Sequence, residues 1–231
     1  MKRSAFTLTE LLVVVTIIVT LVSIMLPSMN AVYVLGRKVC CASQLKGIGK
    51  AVEHYVDNNH QILPRSSHSA KSKHVWPWGK ALMEYLGEDP YCGTGTVPDK
   101  LFNGLYRCPA DQRRDGRWSY GKNCYYELDP MDSPDTEGHA FPTALSIPNP
   151  NATVLFAELT DASDGSASSD TTLDHFMAQF WPGLTPEVDP ARHSSVLSNY
   201  LFADLHVSAM PFNKTFDPAN SINKWNPWVA K

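Results

Sequence analysis

An α+β fold, with one long N-terminal helix and a β-rich C-terminal head, is what the sequence predicts, and three observations carry it. A nearly unbroken apolar run opens the chain, from Leu11 to Leu26, with only Thr16, Thr20 and Ser23 as polar interruptions. Beyond it Cys41, Leu45, Ile48, Val52 and Tyr55 recur at steps of four, three, four and three, the apolar stripe of a continuing helix. Towards the C-terminus "ATVLFAEL" (152–159) and "NYLFADLHVSAM" (199–210) are rich in β-branched, aromatic and aliphatic residues and read as strands, the second as two strands around Asp204-Leu205.

The apolar run is the first element to justify. Phe6 and Leu8 extend it to about 20 residues, the length a bilayer-spanning helix needs. Lys2 and Arg3 precede it, so the positive-inside rule keeps the N-terminus cytoplasmic and sends everything after residue 30 outward. A secretory signal peptide is the competing reading, but the run is long for one and Pro27-Ser28-Met29-Asn30-Ala31 is a poor cleavage site. Glu10 is the anomaly, because an unpartnered carboxylate in lipid is costly.

The stripe then carries the helix on. Gly47 and Gly49 lower its propensity without breaking its period, and "DNNH" (57–60) supplies asparagines to end it. From Phe6 that is about 50 residues, or roughly 75 Å of helix. Residues 60–231 form the head, with no break that marks a second domain. "WSYGKNCYYEL" (118–128) is a weaker strand candidate. The proline-rich stretch 128–151 and the polar stretch 160–172 read as surface loops.

"AFTLTELLVVVTIIVTLVSIMLP" (5–27) resembles the N-terminal segment of type IV prepilins and of the pseudopilins of type II secretion systems. The resemblance implies a short basic leader, residues 1–5, cut by a prepilin peptidase between Ala5 and Phe6, with Phe6 then N-methylated. Glu10 and Pro27 fall where that family carries a carboxylate and a proline, whereas Ala5 stands where glycine is commonest. It further implies a pilin-like helix over 6–59, transmembrane over 6–29, whose second half lays its stripe against the head. In a filament of packed helices the amine freed on Phe6 would meet Glu10 of a neighbouring subunit and satisfy both charges. The simpler reading places Glu10 in the headgroup zone. Pro27 would kink the helix by removing a backbone donor, or simply end a transmembrane segment.

A second resemblance is to pseudopilin-like proteins that carry a C-terminal His-x9-Asp-Gly motif. "CASQLKGIG" (41–49), "YRCPAD" (106–111) and "RHSSVLSNYLFADLHV" (192–207) match its three patterns. Two departures stand out: ten residues separate His193 from Asp204, and Leu205 replaces the glycine, so the hairpin must use a different turn or a longer loop. The resemblance names no activity.

His193, Asp204 and His206 are of types that suit a divalent metal, with Glu158, Asp161, Asp164 and Asp170 as further oxygen donors. Neither a His-Glu-x-x-His nor an EF-hand pattern occurs, however, so the expectation is that His193 and Asp204 hydrogen-bond each other or the backbone to pin the last hairpin, with no metal and no cofactor. Five cysteines in an outward-facing domain point to disulfides with one thiol left over. Cys41 lies on the stripe and Cys40 about 100° away from it, which favours Cys41 with Cys108 and, second, Cys92 with Cys124, although spacing alone does not fix the pairing. Trp76 and Trp78 read as core at helical spacing with Ala81, Leu82 and Leu86, or as an aromatic platform for a saccharide. Trp225 and Trp228 either dock on the head or meet neighbouring subunits.

Composition narrows the function classes. Twenty basic against 23 acidic residues leave a net charge of −3 without a basic block, which argues against a nucleic-acid partner. No nucleophile elbow, phosphate loop or paired-carboxylate spacing supports an enzyme. The expected function is a structural subunit, pilin or pseudopilin, in the bacterial inner membrane with a periplasmic or filament-borne head. Its partners would be prepilin peptidase and other pilin or pseudopilin subunits. The alternative is a tethered or secreted domain that binds metal or saccharide, or hydrolyses, through His193, Asp204 and His206.

Overall fold

The computed structural model describes residues 7–91, 96–113, 116–129, 134–160, 173–183, 187–194 and 196–231. It divides into two compact units, one up to Gly36 and one from Arg37 to Lys231. A single helix, α1 (Leu8–Asn58), supplies all the described secondary structure of the first unit and the opening element of the second, running through Pro27.

In the first unit the described apolar side chains of α1 are exposed. Leu12, Val19 and Leu26 are 60%, 56% and 63% exposed. The polar interruptions in the run are satisfied within the helix. Thr16 donates to the carbonyls of Leu12 and Val13, Thr20 to that of Ile17 and Ser23 to that of Val19. Hydroxyls satisfied in this way add little to the cost of placing the helix in an apolar medium. By length and hydropathy α1 is able to cross a membrane.

In the second unit the predicted stripe is buried. Cys41, Leu45, Ile48 and Val52 are at most 1% exposed, Ala51 and Val56 join them, and Tyr55 packs at the edge. The two glycines let the head come close: a Cβ on Gly47 would lie 3.1 Å from Leu105, and one on Gly49 3.1 Å from Leu201. The helix ends where asparagines follow, Asn58 donating to the His54 carbonyl and Asn59 to that of Tyr55. His60 and Gln61 then take left-handed backbone angles that turn the chain away.

Three short helices follow, α2 (Ser67–Lys73), α3 (Trp78–Ala81) and α4 (Asp99–Phe102). The head is built on a mixed sheet of β1 (Tyr120–Asn123), β2 (Val154–Glu158), β3 (His175–Phe176), β4 (Ser198–Phe202) and β5 (Val207–Met210), in the order β3-β1-β2-β4-β5. Among the described residues of this sheet only the β1–β3 pair is parallel. β1, β2 and β4 are buried at every position, because the sheet is covered on both faces. Leu155, Phe156 and Leu201 meet the α1 stripe and Trp78, while Val154, Ala157, Tyr200 and Phe202 pack with Phe176, Trp181 and Trp225.

The strand expected over 118–128 shortens to four residues. Asn123 accepts from the amide of Tyr125 and donates to the carbonyls of Val154 and Trp225, and this converts the chain to a 3-10 turn over Cys124–Glu127. The strands around Asp204-Leu205 form as expected, and the turn between them is, as expected, a different one from the two-residue Asp-Gly turn. Leu205 takes the left-handed position itself, at φ 69°. Its amide donates to the Phe202 carbonyl and the Phe202 amide to that of His206, a tight three-residue connection. Half-burial of the Leu205 side chain and a Lys46 Nζ hydrogen bond to its carbonyl at 2.8 Å help offset a strain of about 1 kcal/mol.

Candidate functional sites at the helix start and in the buried core

Two arrangements bring chemistry-bearing side chains together. The first is the start of α1. Glu10 Oε2 accepts from the Thr7 amide at 2.8 Å and from the Thr7 hydroxyl at 2.7 Å, and Thr7 Oγ1 accepts from the Glu10 amide at 3.3 Å. This is a capping box, which the Thr-x-x-Glu spacing of residues 7–10 announces in the sequence. Within one chain Glu10 therefore closes the first turn of its own helix. Ala5 and Phe6, the expected cleavage and methylation positions, lie outside the described residues.

The second arrangement lies under α1. Cys41, on the helix stripe, is disulfide-bonded to Cys108, in the Cys-Pro turn after α4. Glu158, the last residue of β2, and His193, in the loop before β4, reach the same point: His193 Nε2 is 2.6 Å from Glu158 Oε1. Cys108 Sγ lies 3.6 Å from that oxygen and 3.8 Å from the imidazole nitrogen. Both side chains of the Glu158–His193 pair are fully buried. Glu158 Oε2 is occupied by the Asn199 amide at 3.0 Å, and the Ala110 amide points at Cys108 Sγ at 3.4 Å.

A carboxylate and arginine network adjoins the loop that carries His193. Asp111, fully buried, accepts from Arg113 Nη2 at 2.8 Å and from Ser119 at 2.5 Å, and Arg107 stands 3.5 Å away. Burial pushes the Asp111 carboxyl up, but the Arg113 and Ser119 hydrogen bonds and the Arg113 charge outweigh it and hold the pKa at about 2. Arg192, next to His193 in sequence, binds Asp189 at 3.1 Å and the Leu159 carbonyl.

The expected residues are thus divided. His193 does not bond Asp204. Instead Asp204 Oδ1 accepts from the His206 amide at 3.1 Å and meets His206 Nδ1 at 2.6 Å, a half-exposed pair that pins the hairpin locally. Glu158 joins His193, while Asp161, Asp164 and Asp170 lie outside the described residues. Cys92 does too; its expected partner Cys124 is buried, and Cys40 is exposed.

Of the tryptophans, Trp78 is core, packed edge-on against Tyr106 and donating to the Asp174 carbonyl at 2.9 Å. Trp76 is 44% exposed under the Lys80 ammonium and lines a groove of about 700 Å³ with Tyr55, Tyr85 and Tyr91. Trp225 is buried in the second core, and Trp228 stacks on His139 at 3.8 Å, so both dock on the head.

Comparison with protein-family models, curated proteins and solved structures finds no match to this chain.

Proposed function

We propose that this chain is a structural subunit of pilin or pseudopilin type, cut by prepilin peptidase, held in the bacterial inner membrane and assembled through its N-terminal helix. One observation carries the reading: α1 is continuous from Leu8 to Asn58, its last turns are buried in the head, and its first turns expose a largely apolar surface among the described residues. A surface of this size calls for lipid before assembly and neighbouring helices after it. Glu10 sits at the start of this surface, where the carboxylate that accepts from Thr7 is exposed and within reach of an incoming amine.

The alternative, a tethered binding domain or hydrolase using His193, Asp204 and His206, draws no support from a geometry in which the first is buried against Glu158 and the other two bond each other. Replacing Glu10 with Ala tests the filament reading. Membrane insertion should persist, because the apolar run is intact, while filaments seen by electron microscopy should disappear. Normal filaments from Glu10→Ala would refute the reading.

A further inference from the structure

The buried meeting of two sulfurs, an imidazole and a carboxylate has more chemistry than a disulfide requires. A disulfide is apolar and gains nothing from charged neighbours, whereas a buried carboxylate–imidazole pair carries a desolvation cost that a single hydrogen bond between them does not repay. The four candidate ligand atoms, Cys41 Sγ, Cys108 Sγ, Glu158 Oε1 and His193 Nε2, all lie within 4.8 Å of one another. The 3.6 Å and 3.8 Å separations of Cys108 Sγ from the oxygen and the nitrogen match the edges, about 3.3–3.8 Å, of a tetrahedron drawn around zinc at ordinary bond lengths, while the bonded sulfurs and the 2.6 Å Glu158–His193 contact each have to open to reach it.

Three further features suit metal ligands. The Ala110 amide directed at Cys108 Sγ favours a charged sulfur over a neutral one. The Asn199 amide holds Glu158 Oε2 and leaves Oε1 facing the sulfurs, the outer support that fixes a ligating carboxylate. The ligands come from α1, the Cys-Pro turn, the end of β2 and the loop before β4, so one ion would tie together four separate parts of the head.

We propose that Cys41, Cys108, Glu158 and His193 form a closed four-ligand site for a divalent metal ion of the zinc class, and that the Cys41–Cys108 disulfide is the metal-free, oxidised form of the same site. Two thiolates and an imidazole select zinc over calcium or magnesium, which take oxygen ligands. The forms interconvert by thiol exchange. A dithiol reductant gives two electrons and two protons, the sulfur–sulfur bond breaks, two thiols form, and the reductant leaves as its own disulfide. Metal binding then releases the two thiol protons to solvent, and the imidazole keeps its proton on Nδ1 while Nε2 takes the metal. This inference is independent of the filament reading.

The test uses the full chain in detergent with Cys40, Cys92 and Cys124 replaced by Ser, so that the only thiols are those of the site. Under a dithiol reductant, Co²⁺ should bind at about one ion per chain, with thiolate-to-cobalt charge-transfer absorption, and Zn²⁺ should displace it. After oxidation the same chain should bind none. His193→Gln and Glu158→Gln should each weaken binding to the reduced chain by at least roughly tenfold, while the oxidised variants keep their disulfide and near-ultraviolet circular dichroism. If reduction alone abolishes that dichroism, Zn²⁺ should restore it. A reduced chain that takes up no cobalt, an oxidised chain that takes up as much as the reduced one, or a reduction-unfolded chain that zinc does not restore would each overturn the proposal.

Discussion

Residues 8–36 and 37–58 belong to one helix and meet opposite fates. In the first stretch the described apolar residues occur on every face and are exposed; in the second, from Cys41 on, they gather on one stripe that is among the most buried surface of the protein, with Val39 and Cys40 before it still exposed. Hydrophobicity that goes all round a helix cannot be satisfied by a single flank of packing, whereas a stripe can. The periodicity, not the hydrophobic content, therefore separates the part of the helix that the chain covers itself from the part that needs a surrounding medium.

The largest expected effect comes from charging the exposed stretch. Ile17→Asp with Val19→Asp should release the chain from membranes, since each aspartate costs about 2.5–3.5 kcal/mol in mid-bilayer, yet leave the melting of the head unchanged. A head that melts earlier would mean that the first stretch packs on it after all. Next, Cys108→Ala removes a cross-link between residues 67 apart and should lower the stability of the metal-free head by about 4 kcal/mol on the loop-entropy account. Chemical denaturation of oxidised wild type and variant measures this.

Leu45→Ala, at a fully buried stripe position, should cost about 2–5 kcal/mol of head stability, while the matched Leu21→Ala should cost the head nothing. Equal losses at the two sites would erase the contrast between the stretches. The smallest effect concerns pH. Asp111 has a folded pKa of about 2 against an ordinary 3.8, so its contribution is fully present above about pH 4 and is lost as pH falls through 2. That contribution is about 2 kcal/mol, and Asp111→Asn should flatten the acid limb of stability against pH over that window.

How much of this was legible in the sequence follows the same physical division. Local patterns read well: the stripe located the buried turns of α1 and favoured Cys41 over Cys40 as the bonded cysteine, and the β-branched, aromatic and aliphatic content of 199–210 located β4 and β5. The expected long strand at 118–128 failed because one side chain, Asn123, bonds the backbone of two distant segments and of Tyr125 just after it, and diverts the chain. β3, two residues long, offers no pattern to read.

The buried cluster was half visible. Glu158 and His193 were each candidates, but 35 residues separate them, and the resemblance to a His-x9-Asp-Gly motif drew attention to Asp204 instead. The better signal was a carboxylate ending the otherwise apolar run "VLFAE", since a strand buried on both faces has no solvent in which to leave it. That a different turn was needed at Leu205 was legible, but its conformation was not. Its left-handed angle is held by tertiary contacts with Lys46 and the core, which turn propensity does not contain.

The central claim, that the exposed first stretch of α1 is a filament segment and not a disposable signal, is tested most directly by the N-terminal sequence and mass of the mature protein from membranes of a host with prepilin peptidase. The account predicts a chain beginning at N-methylated Phe6, with Glu10 retained. A mature chain beginning near residue 30 would contradict it, since Glu10 and the apolar run would then be absent from the protein that functions.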